Sequence, residues 1–176
     1  MAGALIKLQQ VVASNSSIVE IGGTEWDSSY DVYKLIHKDV TGTVDDTHLR
    51  LRILKASDNS ADTTSNYDES AKLFRTDDVF SNSSSRNLDF GRIQATGTGT
   101  ATQEVTHCTY YLFNFNNSSE YNYLTNEEMM YSSSSVLQGS QGGLVHTVAQ
   151  ASTGLQFYMN SGNIASGTFT LYGLKK

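Results

Sequence analysis

Four histidines, one cysteine and a handful of carboxylates are the side chains that could do chemistry, and their spacing limits what each can do. His37, His48, His107 and His146 stand far apart, with no His-x-His or Glu-x-x-His pair to seed a metal site. They are expected to serve as core or surface residues of separate strands. His107 and Cys108 are adjacent, so a strand would point them to opposite faces and spoil a nucleophile–base dyad. Cys108 is expected to be a small buried hydrophobe. Glu127-Glu128 would need a further carboxylate across a cleft to act as a glycosidase pair. Neighbouring glutamates in polar sequence are normally just solvated. The stretch 58–69 places oxygen ligands at its first, third, fifth, seventh, ninth and twelfth positions, the spacing of a calcium loop, with Asp58, Asp62 and Glu69 as the carboxylates. Thr63 occupies the sixth place, where such a loop needs glycine, and no helical pattern flanks it. The stretch 95–102 has glycines but lacks the Gly-Lys-Ser/Thr ending of a phosphate loop. No catalytic residue, metal or cofactor is expected.

Tyrosine is the abundant residue with binding potential, 10 of 176. Tyr110, Tyr121, Tyr123, Tyr131, Tyr158 and Tyr172 fall where alternation is expected to leave several facing outward. Exposed aromatic rings anchor protein interfaces and stack on sugars. Interface use ranks first, core packing second and sugar binding third.

The elements that must position these residues read as strands. The last two dozen residues set the pattern: Leu155, Phe157 and Met159 share one face, Phe169 and Leu171 another, and Asn160-Ser161-Gly162-Asn163 is turn chemistry between them. Upstream, residues 49–53 alternate most cleanly, with Leu49, Leu51 and Ile53 inward and Arg50 and Arg52 outward. A slip of one residue would bury both arginines. Strands are also expected at 5–12 (Ile6, Leu8 and Val12 inward), 18–21, 32–40, 88–93, 109–115 (Tyr111, Phe113 and Phe115 on one face) and 144–149. Residues 56–70 and 81–85 read as loops, 71–80 as a weakly paired segment, 95–102 as a flexible connection or ribbon, and 121–131 as either a helical turn or a strand. Eight to ten short strands with little helix give an all-β fold, an antiparallel two-sheet β-sandwich of jelly-roll type, in one domain over residues 1–176.

Composition closes off other classes. The net charge is −6, unsuited to coating nucleic acid, and no apolar run approaches the roughly 20 residues of a membrane helix. The start lacks a basic segment before an apolar one, so no Sec signal is expected. A single cysteine excludes an internal disulfide and fits synthesis in a reducing cytoplasm.

Several stretches together resemble small virion structural proteins of tailed bacteriophages. These are the opening strand with its Val12-Ala13-Ser14-Asn15-Ser16-Ser17 spacer, Tyr30-Asp31-Val32-Tyr33, Leu49-Arg50-Leu51-Arg52 and, most specifically, Ser166-Gly167-Thr168-Phe169-Thr170-Leu171-Tyr172-Gly173. The resemblance covers about half of the chain, at its two ends. It implies a jelly-roll sandwich, often trimeric, displayed on the particle as a tail-fibre, baseplate or capsid-decoration component, made in the host cytoplasm. It carries no catalytic motif. The expected partners are identical chains in a homotrimer and other virion proteins. The alternative is a carbohydrate-binding, lectin-like sandwich that contributes to recognition of a host surface glycan.

Overall fold

Alternation of buried and exposed side chains organises twelve strands in the computed structural model, which describes residues 4–92 and 97–174. They are β1 (Leu5–Ser16), β2 (Val19–Gly22), β3 (Val32–Gly42), β4 (Leu49–Lys55), β5 (Tyr67–Arg75), β6 (Phe80–Leu88), β7 (Gly91–Arg92), β8 (Thr106–Phe113), β9 (Asn122–Tyr131), β10 (Leu137–His146), β11 (Ser152–Met159) and β12 (Ile164–Leu174). One antiparallel sheet runs β1-β12-β3-β8-β9-β10-β5-β6 and the other β2-β11-β4-β7. The quartets β1-β12-β3-β8 and β2-β11-β4-β7 are joined by connections that cross repeatedly from one sheet to the other. That winding is a jelly roll. The remaining strands are two inserted hairpins, β5–β6 after β4 and β9–β10 after β8. They meet along the β10–β5 ladder and extend the large sheet by four strands.

The core lies between the two quartets. Leu49, Leu51 and Ile53 of β4, Leu155, Phe157 and Met159 of β11, and Phe169 and Leu171 of β12 are all buried, on the faces their alternation assigns. Each such side chain contributes about 1.5–3 kcal/mol by leaving water. Phe157 packs at 5.0 Å from Phe169, which joins the two sheets through their aromatic rings. Arg50 and Arg52 point outward over Phe90 and Tyr158.

Several local expectations are corrected. Residues 81–85 lie within β6, and residues 67–70, expected in the 56–70 loop, open β5, because each segment has a neighbouring strand to bond even where its side chains are polar; residues 71–75 pair as expected. Residues 122–131 form β9 rather than a helical turn, since both of its edges are paired. In β1 a register shift between Lys7 and Gln9 changes which side chains face in. Ala13 is buried there and Val11 packs on the core, while Ile6 and Val12 are exposed. In β8 the inward residues are Tyr110 and Leu112, not Tyr111 and Phe113. Phe115 enters the core only because Asn114 turns the chain at positive φ. Residues 93–96, which include the end of the strand expected at 88–93 and the start of the 95–102 segment, lie outside the described residues, whereas Gly97, Thr98 and Gly99 are buried and Thr98 bridges to Thr47.

β2 and β11 approach unusually closely where Gly22 faces Gly154. A Cβ on Gly22 would lie 2.5 Å from the Thr153 carbonyl oxygen, and its φ of 132° already disfavours other residues. Gly22→Ala is therefore expected to cost more than about 1 kcal/mol. A reduced urea midpoint with an unchanged m-value is the reading that checks it.

Candidate functional site

The two inserted hairpins extend the large sheet beyond the jelly roll; Tyr67, Leu124 and Leu144 tie them to the hydrophobic core, and polar side chains supply further anchors. On the inner face a directed chain of hydrogen bonds crosses from the jelly roll into the insertion. The Tyr110 hydroxyl donates to His37 Nδ1 at 3.0 Å, and Nε2–H points to Thr106 Oγ1 at 3.5 Å. The Thr106 hydroxyl donates to Glu128 Oε1 at 3.0 Å, and Ser140 donates to Glu128 Oε2 at 2.9 Å. Because Thr106 donates to Glu128, its oxygen is left to accept from His37, and an imidazole that also accepts from Tyr110 is neutral with its proton on Nε2. Burial agrees, lowering its pKa to about 3, with His107 adding to the shift.

A second anchor pins β10 to the loop before β5. His146 Nε2–H donates to Asp62 Oδ2 at 3.0 Å, both residues being buried. The Tyr67 hydroxyl donates to the Asp62 carbonyl and accepts from Ile53 N–H. Burial would raise Asp62, but hydrogen bonds from Thr64 and the adjacent imidazole hold it below the usual carboxylate value. Burial lowers His146, against the pull of Asp62. A third anchor is Glu69, whose carboxylate takes the Arg92 guanidinium at 2.7 Å and the Arg92 N–H at 2.9 Å.

These roles account for several sequence candidates. Asp58, Asp62 and Glu69 do not converge: Asp58 caps Ser60 and pairs with Lys55, Asp62 belongs to His146, and Glu69 to Arg92. Among the described residues no group of three His, Cys, Asp or Glu is arranged to hold a metal. Cys108 faces His37 across the β8–β3 pair, a proximity that linear spacing concealed. Burial pushes its thiol well above the ordinary value, with Glu128 adding to the shift, so it is held as the thiol. Glu127 faces outward and Glu128 inward, which separates that pair by the thickness of the sheet.

The outer face of the extension carries the unassigned surface. Its side chains form rows across the strands. One row is Phe113, Tyr123, Val145 and Asp68, apolar for most of its length. The next is Tyr111, Thr125, Gly143, Ser70 and Ser84, which after the tyrosine is small throughout. A third is Thr109, Glu127, Gln141, Lys72 and Asn82, polar throughout, with Gln141 donating to Glu127 at 3.1 Å and Lys72 to Asn82 at 3.1 Å. The small row sinks between its neighbours. Along it lie a hollow of about 870 Å3 beside Tyr123, Gly143 and Ser70 and another of about 310 Å3 beside Tyr111, Glu127 and Gln141. Beyond the polar row, Met129, Tyr131, Leu137, Phe74 and Phe80 form an apolar end patch. Phe80 is 69% exposed, and the Phe74 ring lies over Gly139.

Of the tyrosines singled out by sequence, Tyr123 and Tyr131 lie on this face and Tyr121 is exposed just before β9. Tyr172 is half-buried on the outer face of β12, opposite Lys34. Tyr158 lies on the other sheet under Arg52. Tyr110 is a correction: it is fully buried, because its hydroxyl serves His37. Tyr111, Phe113, Gly143 and Gln141 were missed. Gly143 and Gln141 lie where Gln138-Gly139-Ser140-Gln141-Gly142-Gly143 shows no apolar alternation, and only the pairing of β10 with β9 and β5 gives them meaning.

No family model matches the chain, and no curated protein matches it. Among solved structures, the CBM2 module of the evolved Dit of Lactobacillus casei BL23 phage J-1 is 8% identical, with a TM-score of 0.26 over 93% of this chain and 75% of that chain. An aerolysin-like protein of Bombina maxima is 12% identical, with a TM-score of 0.17 over 91% of this chain and 88% of that one. Neither is close enough to assign a family.

Proposed function

We propose that this chain is a non-enzymatic structural component of a tailed-bacteriophage particle, assembling as a homotrimer through the apolar end patch of its large sheet and contacting other virion proteins. The observation that carries the reading is that patch. Met129, Tyr131, Leu137, Phe74 and Phe80 are contiguous on one face, and soluble monomers rarely leave so many large apolar side chains together in water. The phage assignment rests on the resemblance, whose most specific run forms most of β12 at the centre of the jelly roll. The number three comes from the resemblance as well. Copies around a closed axis would bury the patch and stabilise the fold by mass action.

Light scattering on a size-exclusion column is expected to give three times the chain mass of 19.3 kDa. The pair Phe80→Asp and Leu137→Asp is expected to reduce it to one without loss of cooperative unfolding. Mass spectrometry of purified particles is expected to find the chain. Its absence from particles would remove the phage reading, and a double variant that still forms trimers would remove the patch.

A further inference from the structure

We propose that the furrow across the inserted hairpins binds an elongated, neutral saccharide. The furrow runs across the strands, not along them. Its floor is Thr125, Gly143, Ser70 and Ser84, one residue from each of four adjacent strands, and Tyr111 stands at its β8 end. From β8 to β6 it spans four strand spacings, roughly 19 Å. The small row is what opens it, since a long side chain at any of these positions would close the channel.

The two banks differ in chemistry. One presents Phe113, Tyr123 and Val145, an apolar wall that includes two exposed aromatic rings. The other presents Glu127, Gln141, Lys72 and Asn82 in two hydrogen-bonded pairs. A pyranose chain has the same division, with C–H faces that stack on rings and hydroxyl edges that both donate and accept. Glu127 and Lys72 cancel in charge on this bank, and Asp68 and Arg86, which line the larger hollow, pair with each other at 3.4 Å, so the furrow offers acceptors and donors without a net field. That selects a neutral ligand over a polyuronate or a polycation.

A polypeptide fits the same furrow poorly. Its backbone presents a donor and an acceptor at nearly every residue, each costly to leave unpaired. Peptide-binding sheets meet that need by adding a strand at a free edge. Here β8, β9, β10 and β5 are each paired on both sides, and only β6, at the edge of the sheet, has an open side; that edge lies at the end of the furrow and perpendicular to it, so a chain lying in the furrow cannot pair along it. A sugar chain carries no such demand and can leave spare hydroxyls in water.

This inference stands apart from the particle assignment and from the end patch, and its test separates them. The intact protein is applied to an array of neutral gluco-, galacto- and manno-oligosaccharides of two to eight units, with uronic-acid oligomers alongside and titration calorimetry on positives. Retention of a neutral series is expected, tightening with chain length until the furrow is filled. Ser70→Trp, which fills the exposed floor, and Gln141→Ala, which strips the polar bank, are each expected to weaken binding at least tenfold with melting unchanged. Phe80→Asp, at the end patch, is expected to leave it unaltered. No binding to any neutral oligosaccharide at millimolar concentration would overturn the proposal. So would preference for the uronates, capture of extended peptides by the same surface, or a Ser70→Trp protein that binds like the parent.

Discussion

A chain ending at Gly167 is expected to be recovered only as aggregate. The lost segment is most of β12, which bonds β1 on one side and β3 on the other. Removing it strands β1 and opens a sheet edge in the middle of the jelly roll. It also uncovers the space filled by Phe169 and Leu171, both fully buried, with Phe169 against His37 and Phe157. Large-to-small changes at two such sites cost roughly 5–10 kcal/mol together, comparable to the whole stability of a domain. Full-length Phe169→Ala gives the measurable version, with a loss of about 3–5 kcal/mol by urea unfolding. A soluble truncated protein with a cooperative melt would show that β12 is an accessory arm. A full-length Phe169→Ala protein as stable as the parent would show that its ring supports nothing.

How much of this was legible beforehand depends on what each residue had to report. Strands whose faces differ in polarity declare themselves, so Leu49-Arg50-Leu51-Arg52 and Leu155 to Met159 carry their own register. The inserted hairpins do not. β6 is Phe-Ser-Asn-Ser-Ser-Ser-Arg-Asn-Leu, and nothing in that run favours a strand except the ladder β5 offers it. β9 confuses the reading in another way, because its inner face holds Asn122, Asn126 and Glu128, buried polar groups that mimic a solvated side. Tyr110 shows the same limit. Alternation alone cannot choose which tyrosine of Tyr110-Tyr111 faces in; the inward one, Tyr110, meets a phenylalanine of the other sheet and a histidine 73 residues away in the chain. The furrow was invisible for a related reason. It is a row across four strands, and register between strands has no local signal.

Acid is expected to destabilise this fold well before ordinary carboxylates titrate. Burial holds the folded-state pKa of His37 at about 3, against an unfolded value near 6.5. Between those two values the unfolded chain carries a proton on this residue and the folded chain does not. Falling pH therefore favours unfolding throughout that window, and the stability contribution is complete only above about 6.5. At about 1.4 kcal/mol per unit, the loss across the window is on the order of 3–5 kcal/mol. His146 adds to it with the same sign, since its pKa is also lowered by burial. Asp62, held below its ordinary value, acts in the same direction at lower pH, losing its contribution as the carboxylate is protonated. Urea unfolding at pH 7.0, 5.5 and 4.5 reads the sum, and His37→Leu isolates one part. That variant is expected to be less stable at pH 7 by about 1–3 kcal/mol, because Tyr110 and Thr106 lose their shared partner. It is also expected to lose stability less steeply towards pH 4.5 than the parent. Equal slopes for the two proteins would mean that the imidazole gains its proton without opening the core, and would remove His37 as the source of acid sensitivity.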